Sequence, residues 1–332
     1  MLIRIIETLK IGGVEKGILN ELETIKDYKL IVIDHVKNLN VPEHLKSKIT
    51  ILNKRWYSLI SLLIYSFSAD LKGNYVVASL WKSFPFAIIL SIVNNIKLIP
   101  FFHSDKFTNP LNYLASLCAI NRASRIFVDS KAVKDKISKL NSSKEIQIIP
   151  FNFYKEIGTK PKDFNLGLKP IFIGRISKEK RVDLIVKLHK NLVREIRINK
   201  IKFFGPIEHF HSYEIIKNYD GAEYCGVVDF DKVDKKLNEF NCIFLLSDRE
   251  GMAEVVFNAM AFGLVPLVRS VGEMKNYIQN KNNGFISDDL HSLKSDVVKA
   301  YNEKSFSKIS ENAKLAHDGM PNYIDEFIKY AK

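Results

Sequence analysis

The stretch Cys242–Gly263, CIFLLSDREGMAEVVFNAMAFG, constrains this chain more than any other. The continuous apolar run Cys242–Leu246, ended by Ser247 and Asp248, is the pattern of a strand buried on both faces of a parallel sheet. Glu250-Gly251 makes a turn, and Val255, Val256, Ala259, Met260 and Phe262 then recur at helical spacing, so the stretch predicts strand, tight loop, helix. That geometry brings backbone N–H groups and the positive end of a helix dipole to the carboxyl edge of a sheet, where doubly wound proteins bind phosphorylated ligands. Glu250 adds a carboxylate to the same loop. From the residues alone the stretch reads either as an ordinary strand–loop–helix with a solvated Glu250, or as a ligand-binding loop.

The rest of the chain repeats the theme. Apolar segments suited to strands (Leu2–Thr8, Leu30–Ile33, Ile49–Leu52, Tyr75–Leu80, Lys97–Phe102, Arg125–Val128, Ile146–Ile149) alternate with segments of helical periodicity (Val14–Ile25, Trp56–Ala69, Phe84–Val93, Leu111–Asn121, Lys131–Leu140). Such alternation argues for a parallel sheet wrapped by helices. It lapses over 155–169, KEIGTKPKDFNLGLK, which is polar, carries Gly and Pro, and reads as a linker. A second alternating set starts at Pro170. The expectation is an α/β protein of two tandem Rossmann-like domains: residues 1–154, the linker 155–169, then 170–310. A C-terminal segment, 311–332, follows, with an amphipathic stretch at Tyr323–Ile328.

At 332 residues, two domains is the plain reading. Cys118, Cys225 and Cys242 lie in apolar segments without paired spacing, which predicts buried thiols in a reducing cytoplasm and supports neither a zinc site nor a disulfide framework. The N-terminal run is broken by Arg4 and Glu7, unlike a signal peptide. The longest apolar windows, Leu59–Phe67 and Phe84–Val93, fall short of the roughly 20 residues a spanning helix needs. The net charge of +13 is unevenly placed, with 23 Lys+Arg against 13 Asp+Glu in residues 1–160 and 27 against 24 in 161–332. A basic first half suits anionic lipid headgroups, a phosphorylated acceptor or nucleic acid. No nucleic-acid-binding motif accompanies it, so nucleic acid is not expected as a partner. Lys54-Arg55-Trp56-Tyr57 followed by LISLLIYSF reads either as a buried helix or as one resting at a membrane interface.

Several candidates sit where strands should end. Gly12-Gly13 follows the first strand, either as a simple turn or as a place where a ligand approaches the backbone closely. His103 follows Lys97–Phe102, and imidazole is the side chain suited to work near neutral pH. Ser130 is placed to cap the next helix. Gly174-Arg175 ends the first strand of the second half, and Lys180 follows. A planar guanidinium and a mobile ammonium together suit a diphosphate. Lys178 and Arg181 read as a solvated, charge-rich helix start.

These elements resemble the retaining glycosyltransferases of family four. Ser247, Glu250, Gly251, Ala259, Met260, Ala261 and Gly263 match that family's C-terminal pattern in register. Gly12, Gly13 and Glu15 match its Gly-Gly-x-Glu, Gly174, Arg175 and Lys180 its Gly-Arg…Lys, and Gly205-Pro206 its base-bordering loop without the first Gly. Gly272 and Asn283-Gly284 also fall in place. The chain departs where Asn258 replaces a second Glu, where Glu254 stands in place of an apolar residue, where Ser104 interrupts a His-Asp dipeptide, and where Asn276 replaces another Glu. The resemblance implies a GT-B fold with two sheets facing a central cleft. It also implies a last helix packing back on the first domain, and transfer of a sugar, of hexosyltransferase type, from a nucleoside-diphosphate sugar with retention of configuration. It assigns His103, Arg175, Lys180 and Glu250 to the reacting centre. Gly12, Gly13, Gly174, Gly205, Gly251, Met252, Ala253, Glu254 and Asn258 are assigned to the donor. It implies neither a metal nor another cofactor. A glycan or lipid-linked acceptor, reached by a cytoplasmic bacterial enzyme at the inner face of the membrane during surface polysaccharide or lipopolysaccharide synthesis, fits the basic first half. A non-catalytic sugar-nucleotide or glycan-binding protein of the same fold is the alternative that Asn258 motivates.

Overall fold

A computed structural model describes residues 1–9, 13–34, 42–52, 75–104, 106–141, 143–154, 161–228 and 232–331. The chain divides into two compact units: Met1–Phe153 together with Pro321–Lys332, and Tyr154–Met320. Gly12, Asp105 and the basic-aromatic segment from Lys54 to Phe67 lie outside the described residues.

Among the described residues, the first unit contains one sheet of seven parallel strands. These are β1 (Leu2–Ile6), β2 (Tyr28–Val32), β3 (Ile49–Ile51), β4 (Tyr75–Ser79), β5 (Lys97–Phe102), β6 (Ile126–Val128) and β7 (Ile146–Ile148), in the order β3-β2-β1-β4-β5-β6-β7. The central strands are apolar apart from Arg4 in β1, Ser79 closing β4 and Lys97 opening β5, because both faces are covered: every residue of β1 is buried, and each buried Leu, Ile or Val side chain contributes about 1.5–3 kcal/mol. Helices Gly13–Thr24, Phe84–Val93, Pro110–Arg122 and Lys131–Ser138 make the crossovers from β1 to β2, β4 to β5, β5 to β6 and β6 to β7. Ser130 caps the last of these, accepting from the Val133 amide at 3.4 Å. The final helix, Tyr323–Tyr330, completes this unit. The Tyr323 amide donates to the Asn152 carbonyl (2.7 Å), Arg125 Nη1 to the Tyr330 carbonyl (2.5 Å), and Phe327 packs edge-on to Phe127 at 5.9 Å.

The second unit carries a six-stranded parallel sheet among its described residues: β8 (Pro170–Ile173), β9 (Ile201–Phe204), β10 (Ala222–Tyr224), β11 (Cys242–Leu245), β12 (Val265–Val268) and β13 (Phe285–Ile286). Its order is β10-β9-β8-β11-β12-β13. Alternate residues feed opposite layers: Phe172, Phe203, Phe244 and Leu267 join one apolar cluster, Ile171, Phe204 and Ile243 the other. Both sheets reverse their winding once, between β1 and β4 and between β8 and β11. The carboxyl ends of the strands flanking such a reversal leave a crevice that neither neighbouring crossover fills, and ligands bind there.

The expected elements are found within about three residues wherever they are described. The expectation of buried thiols holds for Cys242 alone: Cys225 is half-buried and Cys118 is exposed. Cys118 shares an outward stripe of the helix Pro110–Arg122 with Leu111 and Leu114, so the apolar run around it marks a face turned away from the core. Among the described residues, no helix is long and apolar enough to cross a membrane.

Candidate functional site

The reversal in the second sheet places the ends of β8 and β11 side by side, and the predicted residues of both strands meet there. Lys180, in the short turn of helix Lys178–Lys180 after β8, reaches Glu250, in the loop after β11: Nζ lies 2.7 Å from Oε1, with side chains only 17% and 11% exposed. Two glycines make room. At Gly174 a Cβ would press on the Phe172 ring at 3.3 Å. Gly205, at φ +142°, presses on the Gly174 carbonyl so closely that a Cβ would lie 1.9 Å from that oxygen. A third, Gly272 (φ +57°), lets its turn back onto the Glu250 and Gly251 carbonyls, 2.3–2.4 Å from a hypothetical Cβ, so the Glu250 loop is clamped from β12's side. The Glu273 amide fixes the same contact by donating to the Gly251 carbonyl at 3.0 Å. Gly251 itself is exposed and open.

From this loop the helix Glu254–Ala261 departs, with Ala253 at its N-cap and no side-chain cap. Its first-turn N–H groups and dipole therefore face the Glu250 loop, with Met252 half-buried beside it. Glu254 and Asn258 lie one turn apart on the helix, and Asn258 Nδ2 donates to Glu254 Oε1 at 3.2 Å. Asn258 is buried, yet its Oδ1 has no hydrogen-bond partner. A buried carbonyl oxygen left unpaired costs about 1–3 kcal/mol, a debt that a donor from a ligand would offset.

Arg175 behaves differently. Its guanidinium turns to Glu208 on the loop after β9, Nη1 to Oε2 at 2.9 Å, and both side chains are about half exposed. Arg181, read from the sequence as solvated, is instead structural. It adopts a left-handed backbone (φ +48°) and bridges Asp183 and Asp248, with Arg269 also on Asp248. Those two carboxyls are held below their usual range chiefly by their guanidinium partners, against the opposing effect of burial. This network rivets the β11 loop to the start of the helix Val182–Leu192. Nothing in the local sequence marks a left-handed arginine, and only the pairing of β8 with β11 brings Asp248 to it.

In the first unit, His103 stands at the carboxyl end of β5, but its ring is turned inward. Nε2 lies 2.8 Å from Ser79 Oγ at the end of β4, Nδ1 lies 3.6 Å from Asp129 Oδ2 at the end of β6, and the ring stacks on Phe151. Burial lowers the imidazole below its usual range, Asp129 opposes this, and the nearby Arg4 charge reinforces it. Gly13 begins the helix Gly13–Thr24. Among the described residues, no three His, Cys, Asp or Glu side chains group as metal ligands.

Comparison with known proteins places this arrangement. Residues 161–316, nearly all of the second unit, match the family model described as glycosyl transferases group 1. Among solved structures, the chain is similar to Anabaena HepE in complex with UDP and glucose (13% identity, TM-score 0.79, covering 99% of this chain and 98% of that one). It is similar also to the lipopolysaccharide outer core galactosyltransferase WaaB (15%, 0.71, 99% and 98%), and to a sucrose-phosphate synthase from Thermosynechococcus elongatus (13%, 0.75, 99% and 96%). At these identities the likeness is one of fold. No relative is found among curated protein sequences. The chain has the GT-B fold and resembles the glycosyltransferases of family four.

Proposed function

We propose, starting from a GT-B fold whose second unit matches the glycosyl transferases group 1 model, that the chain transfers a sugar from a nucleoside-diphosphate sugar to a glycan or lipid-linked acceptor with retention of configuration. The observation that carries this reading is the Lys180–Glu250 pair at the winding reversal, a cation and a carboxylate 2.7 Å apart at the start of a helix. Transfer from such a donor must stabilise a departing diphosphate. Lys180 supplies a mobile charge, Arg175 a planar fork at the end of β8, and the helix Glu254–Ala261 its N-terminal dipole. Two cations and a helix terminus suffice without a divalent ion. Glu250 accepts hydroxyls of the transferred sugar. Asn258, with its unpaired Oδ1, and Glu254 beside it take the ribose hydroxyls. His103 shapes the edge of the first sheet on the acceptor side, and no protein base is assigned.

The acceptor is read from the first unit. The basic excess of residues 1–160 and the exposed Leu111, Leu114 and Ile92 suit a peripheral contact with an anionic membrane. HepE was solved with UDP and glucose, and TarM of S. aureus with UDP and a sugar–glycerol, which makes UDP the first probe. The test is a thermal-shift panel of UDP, GDP, ADP, CMP and nucleotide sugars, repeated with Arg175→Ala. One nucleoside diphosphate at 100 times its Kd adds about 2.7 kcal/mol of stability, and the variant loses that shift. If no nucleotide stabilises the protein and no nucleotide sugar is turned over, the reading falls.

A further inference from the structure

Arg4 is an anomaly: a guanidinium in the middle of β1, fully buried, in a strand whose other residues are apolar. It lies over the rings of Phe101 and Phe327, 5.3 and 5.5 Å from their centroids. Nε is 3.5 Å from Glu21 Oε2, and Nη2 donates to Ser79 Oγ at 2.7 Å. Glu21 is equally buried and accepts from the hydroxyls of Tyr28 and of Tyr323, the latter on the final helix. With Arg4 Nε and Nη1 left without a hydrogen-bond partner, the pair has both its charges within the first unit. Its one outward connection among these bonds is Ser79, which touches His103.

That connection has a direction. Arginine only donates, so the Ser79 oxygen spends a lone pair on Arg4 and its own proton must go elsewhere. The acceptor in reach is His103 Nε2 at 2.8 Å. If Nε2 carried the proton instead, Nδ1 would turn a lone pair toward the Asp129 carboxylate 3.6 Å away. If both nitrogens were protonated, a buried imidazolium would face Arg4 across a single oxygen. We propose that Arg4 and Ser79 are positioning residues for His103: the guanidinium orients the Ser79 hydroxyl, which donates to Nε2 and fixes the imidazole as the neutral Nδ1–H tautomer, its proton toward Asp129.

The backbone supports this. Leu80, directly after Ser79, has φ +68°, an unfavourable conformation for a branched residue. Ser83 Oγ braces it by donating to the carbonyls of Ser79 (2.7 Å) and Leu80 (2.8 Å). The chain thus holds the end of β4 in a strained turn that places Ser79 Oγ between Arg4 and His103. The described charged groups around the imidazole are Arg4 from β1, Asp129 from β6 and, at the mouth of the adjoining cavity, Lys106. Two of the three are cations, which agrees with a ring kept neutral. The consequence for catalysis rests on the function proposed above: a His103 held neutral at neutral pH gives transfer no acid limb from this residue there.

The test is the two-bond imidazole ¹H–¹⁵N spectrum of the full chain with ¹⁵N-histidine, titrated between pH 5 and 8, with His103→Gln assigning the signal. The wild type shows a single Nδ1–H tautomer that titrates below free imidazole. Ser79→Thr, which keeps the hydroxyl, preserves it, and Ser79→Ala turns it into a mixture of tautomers. Arg4→Met/Glu21→Gln removes both charges together and moves the titration upward, since the guanidinium is the cation that faces the imidazole across Ser79. An Nε2–H tautomer in the wild type overturns the proposal, as does a signal unchanged in both Ser79→Ala and the double variant. If the double variant does not fold, the Ala/Thr pair decides alone. UDP binding measured on the same samples separates the two readings, because the tautomer result holds or fails whether or not the nucleotide binds.

Discussion

Replacing Glu250 by Gln separates affinity for the leaving group from transfer. In the free protein Lys180 is already neutralised, its Nζ 2.7 Å from Glu250 Oε1 and both side chains largely withdrawn from water. A diphosphate that uses Lys180 must approach this carboxylate as well. Two like charges about 4 Å apart repel by about 4 kcal/mol at an effective dielectric near 20. The residual exposure of both side chains and the water that enters with a ligand reduce this to about 1–1.5 kcal/mol. Gln keeps the hydrogen-bond acceptor and the shape and removes the charge, so UDP should bind about tenfold tighter. Transfer should fall steeply, because the sugar loses its anionic acceptor. Isothermal titration with UDP on the wild type, Glu250→Gln, Lys180→Met and the double variant reads the effect directly. Lys180→Met should weaken binding about tenfold, and the double variant should not regain the gain of Glu250→Gln, since the benefit exists only through Lys180. Raising the salt should shrink every difference. Unchanged or weaker UDP binding by Glu250→Gln, in a protein with native circular dichroism, refutes the reasoning.

Arg175→Ala should alter stability by no more than about 0.5 kcal/mol, since its pair with Glu208 is exposed, while UDP affinity falls about tenfold; a urea midpoint lowered by more than that bound assigns Arg175 to structure. Gly205→Ala forces a methyl to within 1.9 Å of the Gly174 carbonyl at φ +142°, which should cost about 2 kcal/mol or more and abolish nucleotide binding; a variant of wild-type stability and affinity contradicts the close approach. Tyr323→Phe withdraws a buried donor from Glu21 and should lower stability by about 1–3 kcal/mol in urea unfolding, which no change would disprove. His189 is buried, with Nδ1 on the Tyr219 hydroxyl (2.7 Å) and Nε2 on the Asn199 carbonyl (2.8 Å), and burial lowers its pKa. The unfolded chain is therefore protonated first as pH falls through about 6.5, so the contribution is intact above that pH and drains away below it. His103 and His317 share the direction, and a urea midpoint flat from pH 7.5 to 5.5 would be incompatible with all three.

Why some of this was legible in the residue string and some was not follows from where each group's partners lie. The strand–loop–helix at Cys242–Gly263 was readable because its evidence is local: an apolar run closed by Ser247-Asp248, then helical spacing. The observed β11 and the helix Glu254–Ala261 fall within that reading. That Lys180 and Glu250 touch was not readable, because 70 positions separate them and only the order β9-β8-β11 puts their loops side by side. Arg4 is the sharper case. In sequence it is a charge that breaks an apolar run. In the fold it occupies a core position because Glu21, Ser79 and the ring of Phe327 converge on it from three other elements. Cys118 failed in the opposite sense, since an apolar neighbourhood in sequence was an exposed helix stripe in space. A strand's end can thus be located from the string, but whether the charge found there is available to a ligand is decided by neighbours brought in by the sheet. Arg175 and Lys180 each already hold a carboxylate, Glu208 and Glu250. Under the function proposed, binding a diphosphate here is an exchange of partners, and affinity is set by the difference between the old pairing and the new.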